Sequence, residues 1–232
     1  MQAIRFVLTG KLAHFRRFYT NSSSLTYPIP PPPTIRGLLG AALGLGPEYT
    51  QEFANWRFGV QIAAPWRFLF QTANYLKIKK GEPNLAGGEH TQIPLQFIVP
   101  QQLGDRIRYE IVALGAESKE SNKVAEALKK PHFPLALGPA YALAQIEEIN
   151  FVQGTIQDSF EGAIKGPLIV KSIIKLQGPG RLLRDRYPLK LAKDRTLLMA
   201  ADLAIEAEGK PVAACYKGDV FATDSDAWSL VG

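Results

Sequence analysis

The sequence predicts an α+β domain built on an antiparallel sheet. Three observations point there: strands of period-two or short apolar character recur along the chain, most are joined by short turns, and single helices interrupt them rather than strictly alternating with them. Ala3 to Thr9 sets Ile4, Phe6 and Leu8 against Arg5 and Val7, the pattern of a strand with one buried face. Asn21 to Ser24 is a polar turn cluster, and Pro28, Pro30, Pro31, Pro32 and Pro33 then hold an extended path with few amide donors. Thr34 is placed to cap a helix starting at Ile35, whose Ile35, Leu38, Leu39, Ala42 and Leu43 form an apolar stripe. Gly37, Gly40, Ala41 and Gly44 leave one side of that helix open to close packing.

Further strands are expected at Phe58–Ala64, Phe68–Thr72, Ile93–Val99, Arg106–Leu114, Leu168–Leu176 and Val212–Tyr216, with helices at Glu48–Trp56 and Glu120–Lys130. Residues 75–92, polar, glycine-rich and basic at one end, are too long for a tight turn and read as a projecting hairpin or an ordinary surface loop. No linker divides the chain, so residues 1–232 read as a single domain, with Leu114–Lys123 its softest point.

Composition narrows the function. With 232 residues, 46% of them hydrophobic, the chain can bury a sizeable core. Twenty-seven Lys and Arg against 21 Asp and Glu give a net charge of +6, which permits a polyanion partner without requiring one. Distribution says more than the total, because Met1 to Arg36 holds five cations (Arg5, Lys11, Arg16, Arg17, Arg36) and no acid. Phe15, Phe18, Tyr19 and Tyr27 are interleaved with them, so cations for phosphates and rings for unpaired bases share one segment. If that segment stays extended, His14, Arg16 and Phe18 share one face and Phe15, Arg17 and Tyr19 the other, and both cannot be buried.

Cys215 is the only cysteine, which excludes an internal disulfide or thiolate cluster and fits a reducing cytoplasm. The start reads as a strand rather than a leader, and no apolar run approaches membrane length, so no membrane partner is expected. His14, His90 and His132 lie far apart without ligand-spaced partners, so neither a metal nor another cofactor is expected. Glu147 and Glu148 are adjacent and should diverge into solvent. The run Arg181, Arg184, Arg186, Lys190 and Lys193 follows a Gly-Pro-Gly turn and reads as a second nucleic-acid contact or a solvated face.

The segment GKLAHFRRFYTNSSSLTYPIPPPPTIRGLLGAALG, from Gly10 to Gly44, resembles the amino-terminal signature of the CRISPR-associated protein 5 family. HTQIPLQFIVPQQLGDRIRYEIVAL, from His90 to Leu114, is similar to the family's central hairpin, and KPHFPLALGPAYALAQIEEI, from Lys130 to Ile149, to its proline-aromatic-proline-leucine element. The resemblance covers the chain to about Ile149. It implies a ferredoxin-like, RRM-related fold of the RAMP type with a thumb-like projection, and a subunit of the type I antiviral complex Cascade, of subtype I-B, that caps the 5′ handle of the crRNA. It implies as partners the crRNA, the repeated backbone (Cas seven-type) subunits, the large (Cas eight-type) subunit, and target DNA in the assembled complex. The expected RNA contacts are Lys11, His14, Arg16, Arg17, Tyr19, Tyr27, Arg36, Lys77, Lys79, Lys80, His90 and Gly138. Some members of the family cut the guide precursor without metal. That alternative would use His14, Tyr19 or Tyr27 as base, with Lys11 or Arg17 supporting phosphorane charge. No convergence of acid and base is visible in the sequence, so no catalytic residue is assigned. A purely structural assembly role is the third reading.

Overall fold

The computed structural model describes residues 1–76 and 90–232. In chain order the first half comprises β1 (Gln2–Gly10), the short strands β2 (Phe15–Arg16) and β3 (Thr26–Tyr27), α1 (Pro32–Leu43), the single turn α2 (Tyr49–Glu52), β4 (Arg57–Ile62), β5 (Trp66–Leu76), β6 (His90–Pro100), β7 (Ile107–Leu114), α3 (Ser118–Lys129) and β8 (Ala144–Gln153). Its central sheet runs β4-β7-β1-β8, antiparallel throughout. With α1 between β1 and β4, and α3 between β7 and β8, this is the β-α-β-β-α-β order of a ferredoxin-like domain. The α+β expectation therefore holds, and its ferredoxin-like core lies in the first two thirds.

The hairpin β5–β6 is inserted between β4 and β7, paired in register from Trp66↔Pro100 to Leu76↔His90. It is longer than the sequence suggested, because the expected strands at 68–72 and 93–99 are its two arms. Lys77, Lys79 and Lys80 lie outside the described residues.

The remaining chain is nearly all strand: β9 (Thr155–Gln157), β10 (Phe160–Ile164), β11 (Leu168–Ile169), β12 (Ile173–Leu176), β13 (Leu182–Leu191), β14 (Leu197–Glu206), β15 (Val212–Tyr216), β16 (Val220–Ala222) and β17 (Ala227–Ser229). These form three small sheets, β10-β15-β12, β11-β14-β13 and β17-β16-β9. A 3-10 turn at Val170–Ser172 splits the strand expected over Leu168–Leu176.

β1 departs from the expected single buried face. Ile4, Phe6 and Leu8 join the main core under the helices, while Ala3 packs with Phe221, Trp228 and Leu230 on the opposite face. The carboxy-terminal strands thus cover the side of the sheet that the helices leave bare. Arg5 also points to that side, where it pairs with Glu110 and approaches Asp226 at 3.8 Å. Lys165 completes the group, 2.8 Å from Asp226 and over the Trp228 ring.

α1 starts earlier than expected and is not capped by Thr34. Pro31 is the N-cap, without a side-chain hydrogen bond, and Pro32 and Pro33 fill the first turn, where missing amides cost nothing. At its other end Gly44 takes φ 75°, and Leu45 N–H donates to the Gly40 carbonyl at 2.9 Å. The His132 and Phe133 amides then donate to the Ala42 and Ala41 carbonyls, so the Pro131–Pro134 segment closes the helix end. The helix expected over Glu48–Trp56 is only the four-residue α2. Glu147 and Glu148 do not diverge: a bulge with Glu148 at φ 55° lets both reach Arg108, at 2.8 and 3.0 Å.

Candidate nucleic-acid interface

After β1 the chain leaves the sheet at Gly10 and crosses the base of the hairpin. Ala13 exchanges hydrogen bonds with Ile98 of β6 at 3.0 and 2.9 Å, and the His14 amide donates to the Leu137 carbonyl at 3.0 Å. Both glycines at this crossing lie in close quarters, and Gly138 is sterically required. A Cβ on Gly10 would stand 2.5 Å from Leu137 Cδ1, and one on Gly138, at φ 105°, would stand 2.0 Å from the His14 carbonyl oxygen. Gly138 therefore admits the His14 backbone, which is a packing role in place of the phosphate contact expected of it.

The arm stays extended only through β2, whose Phe15 is buried edge-on against Tyr109. It then turns at Phe18 and Tyr19. Face alternation fails there, and the two rings emerge side by side, 42% and 46% exposed, in an edge-to-face pair with centroids 5.4 Å apart. Arg16 is exposed beside them; its guanidinium lies 3.3 Å from the Thr20 carbonyl and meets no carboxylate among the described residues. Lys11 is exposed at the start of the arm, and His90 is exposed where the hairpin arm resumes.

The other expected contacts are engaged within the fold. His14 is half-buried against Phe97, with Nδ1 2.8 Å from the Gln96 carbonyl and Nε2 2.9 Å from the Ser24 hydroxyl. A carbonyl only accepts, so Nδ1 carries the proton and Nε2 of the neutral ring accepts from Ser24. Burial holds this imidazole below the ordinary histidine value, against the pull of the Gln96 carbonyl and with help from Arg16. Arg17 Nε lies 3.0 Å from Asp185 Oδ2, an ion pair by distance whose line is off that of a hydrogen bond. Tyr19 donates to the other oxygen of Asp185. Burial, then the Asp185 carboxylate, push its hydroxyl above the usual tyrosine value.

Tyr27 is not available to a base. Its ring is fully covered and stacked on Tyr187 at 4.1 Å, and its hydroxyl donates to the Arg186 carbonyl at 2.6 Å. Burial drives its ionisation far upward. Arg36 is not a phosphate contact on the arm either. It is 4% exposed and donates to the carbonyls of Phe53, Leu189 and Trp56 at 2.8, 2.6 and 3.1 Å, beneath the Phe58 ring. Burial lowers its pKa to about 10.

Asp185, which sequence reasoning missed, ties the arm to β13 through Arg17 and Tyr19. Its signal was a lone acid between Arg184 and Arg186, alternating along a strand that had been read only as a basic run. That run is itself partly neutralised, since Arg184 pairs with Asp202 at 2.5 Å. Among the described residues, no group of three His, Cys, Asp or Glu could hold a metal ion, and no helix is long and apolar enough to cross a membrane.

The family model described as CRISPR-associated protein (Cas_Cas5) matches residues 3–193. The chain belongs to this CRISPR-associated protein 5 family. Among solved structures, it is similar to a CRISPR protein from Archaeoglobus fulgidus, at 12% identity and a TM-score of 0.59, covering 100% of this chain and 99% of that one. It is also similar to a chain of the type III-B Cmr-β complex bound to cognate target RNA and AMPPnP, at 11% identity and a TM-score of 0.53, over 90% of this chain and 86% of that one. At these identities the likeness is one of fold. No curated protein matches the sequence. In this CRISPR-associated protein 5 family member, Lys11, Arg16, Phe18 and Tyr19 are the charged and aromatic residues of the signature segment that stand exposed.

Proposed function

We propose that this chain is the non-catalytic subunit of a type I CRISPR surveillance complex that holds the 5′ handle of the crRNA. The observation that carries the reading is the exposed Phe18–Tyr19 ring pair with Arg16 beside it, on an arm fixed to the hairpin base. Two rings at right angles offer a face and an edge to unstacked nucleotides, and a guanidinium with no carboxylate partner among the described residues is available to a phosphate. In the assembled complex the partners would be the backbone and large subunits and target DNA, in the cytoplasm. The endoribonuclease alternative is weakened by His14 and Tyr19, whose polar atoms already have partners in the fold.

The test incubates the purified chain, in EDTA, with labelled repeat RNA and with mature handle RNA, reading binding and cleavage in the same samples. Intact RNA should be retained, and Arg16→Ala combined with Phe18→Ala should weaken retention at least tenfold. Specific cutting that His14→Ala abolishes would replace this reading with the nuclease; retention insensitive to the double variant would remove the arm from RNA binding.

A further inference from the structure

A cleft of about 280 Å³ opens between the start of α1, α2 and the far end of β13. It is separate in sequence from Arg16, Phe18 and Tyr19. Arg36 stands in its wall, 4% exposed, and its three hydrogen bonds all go to neutral carbonyls. Burial lowers its pKa, and no side-chain carboxylate among the described residues forms an ion pair with it. Buried charges are ordinarily paired, because several kcal/mol of solvation is lost otherwise.

The other charged residues lining the cleft are both cations. Lys190 and Lys193 line it, and neither forms an ion pair among the described residues. Pro33 places the first turn of α1 there, with no acid in that turn. Glu48 feels Lys193 but spends an oxygen on the Gly46 amide at 2.9 Å. Tyr49 and Leu198 add an aromatic and an apolar side chain to the lining.

We infer that this cleft binds a phosphate monoester of mononucleotide size, the phosphate between Lys190 and Lys193 near Arg36 and the remainder against Tyr49 and Leu198. Lysine ammonium groups act as point charges toward phosphate oxygens, and two of them suit a dianion better than a carboxylate. The small volume suits a mononucleotide rather than a polymer threading through.

Isothermal titration calorimetry of the full chain with inorganic phosphate, AMP and acetate, at ionic strength matched with sodium chloride, tests this. Phosphate and AMP should bind, acetate at least tenfold more weakly, and Lys190→Ala with Lys193→Ala should weaken phosphate and AMP at least tenfold. AMP tighter than phosphate, with the gain lost in Leu198→Ala, would place the nucleoside against Tyr49 and Leu198; equal affinities would overturn that part of the inference. No binding, acetate equal to phosphate, or affinity unchanged in the lysine double variant would overturn the inference. Arg16→Ala with Phe18→Ala should leave phosphate affinity untouched, so this site and the handle reading fail independently.

Discussion

His14 shows how a residue that looks chemical in sequence becomes structural in the fold. Its ring spans Gln96 of β6 and Ser24, which bridges to the same strand, and both nitrogens are occupied. Burial depresses its folded pKa below 6.5, the unfolded value. The unfolded chain therefore binds the proton first as pH falls, so the contribution of His14 is fully present above about pH 6.5 and is lost as pH drops through the folded pKa. Because the ring is only half-buried, the effect should stay under about 1 kcal/mol. Urea midpoints of the parent and His14→Gln at pH 7.5, 6.5 and 5.5 check it: the advantage of the parent should shrink toward low pH. A constant difference would mean that the ring titrates alike in both states. The composition of the arm could not have given this, since His14, Tyr27 and Arg36 share the residue types of an RNA contact, and only their burial separates them from Arg16 and Phe18.

At the scale of elements, legibility followed locality. Strand Val212–Tyr216 is where the sequence placed it, and β1, β7 and α3 differ only at their ends, because periodicity within one segment decides them. α2 fell short of its expected length, and β13–β14 went unread, because what holds them is distant: β13 borders Tyr27, Arg36 and Arg17 from the first half of the chain. The Leu137–Gly138 element lies between these cases. The sequence offered Gly138 as a contact for RNA, but its glycine is explained by the His14 backbone passing 2.0 Å from where a Cβ would sit. Gly138→Ala should thus cost about 3 kcal/mol or more, from a left-handed φ plus a backbone collision. Gly104→Ala is the control, since φ there is 99° with nothing within 4 Å of the added carbon, and only about 1 kcal/mol of strain is expected. Equal losses in chemical denaturation would show that the crossing at His14 relaxes freely.

For the whole molecule, the fold determines how much of the sequence's basic arm remains as field. Five cations precede residue 37. Arg5 is spent on Glu110, Arg17 on Asp185, and Arg36 is sealed under Phe58, which leaves Lys11 and Arg16. Single-stranded binding loses affinity with salt at a log–log slope of about −0.7 per phosphate neutralised. Five free cations would contribute a slope of about −3.5, and two only about −1.4. Fluorescence anisotropy of a labelled handle RNA between 50 and 300 mM salt, in the parent and in Lys11→Ala with Arg16→Ala, isolates the arm's share from every other cation. The double variant should flatten the slope by about 1.4. Arg17→Ala should weaken binding, by freeing Tyr19 and Asp185 to shift, while leaving the slope where it was. A loss of slope in Arg17→Ala matching that of Arg16→Ala would mean that Arg17 abandons Asp185 for phosphate, and that the arm docks on RNA in a form other than the one its fold holds.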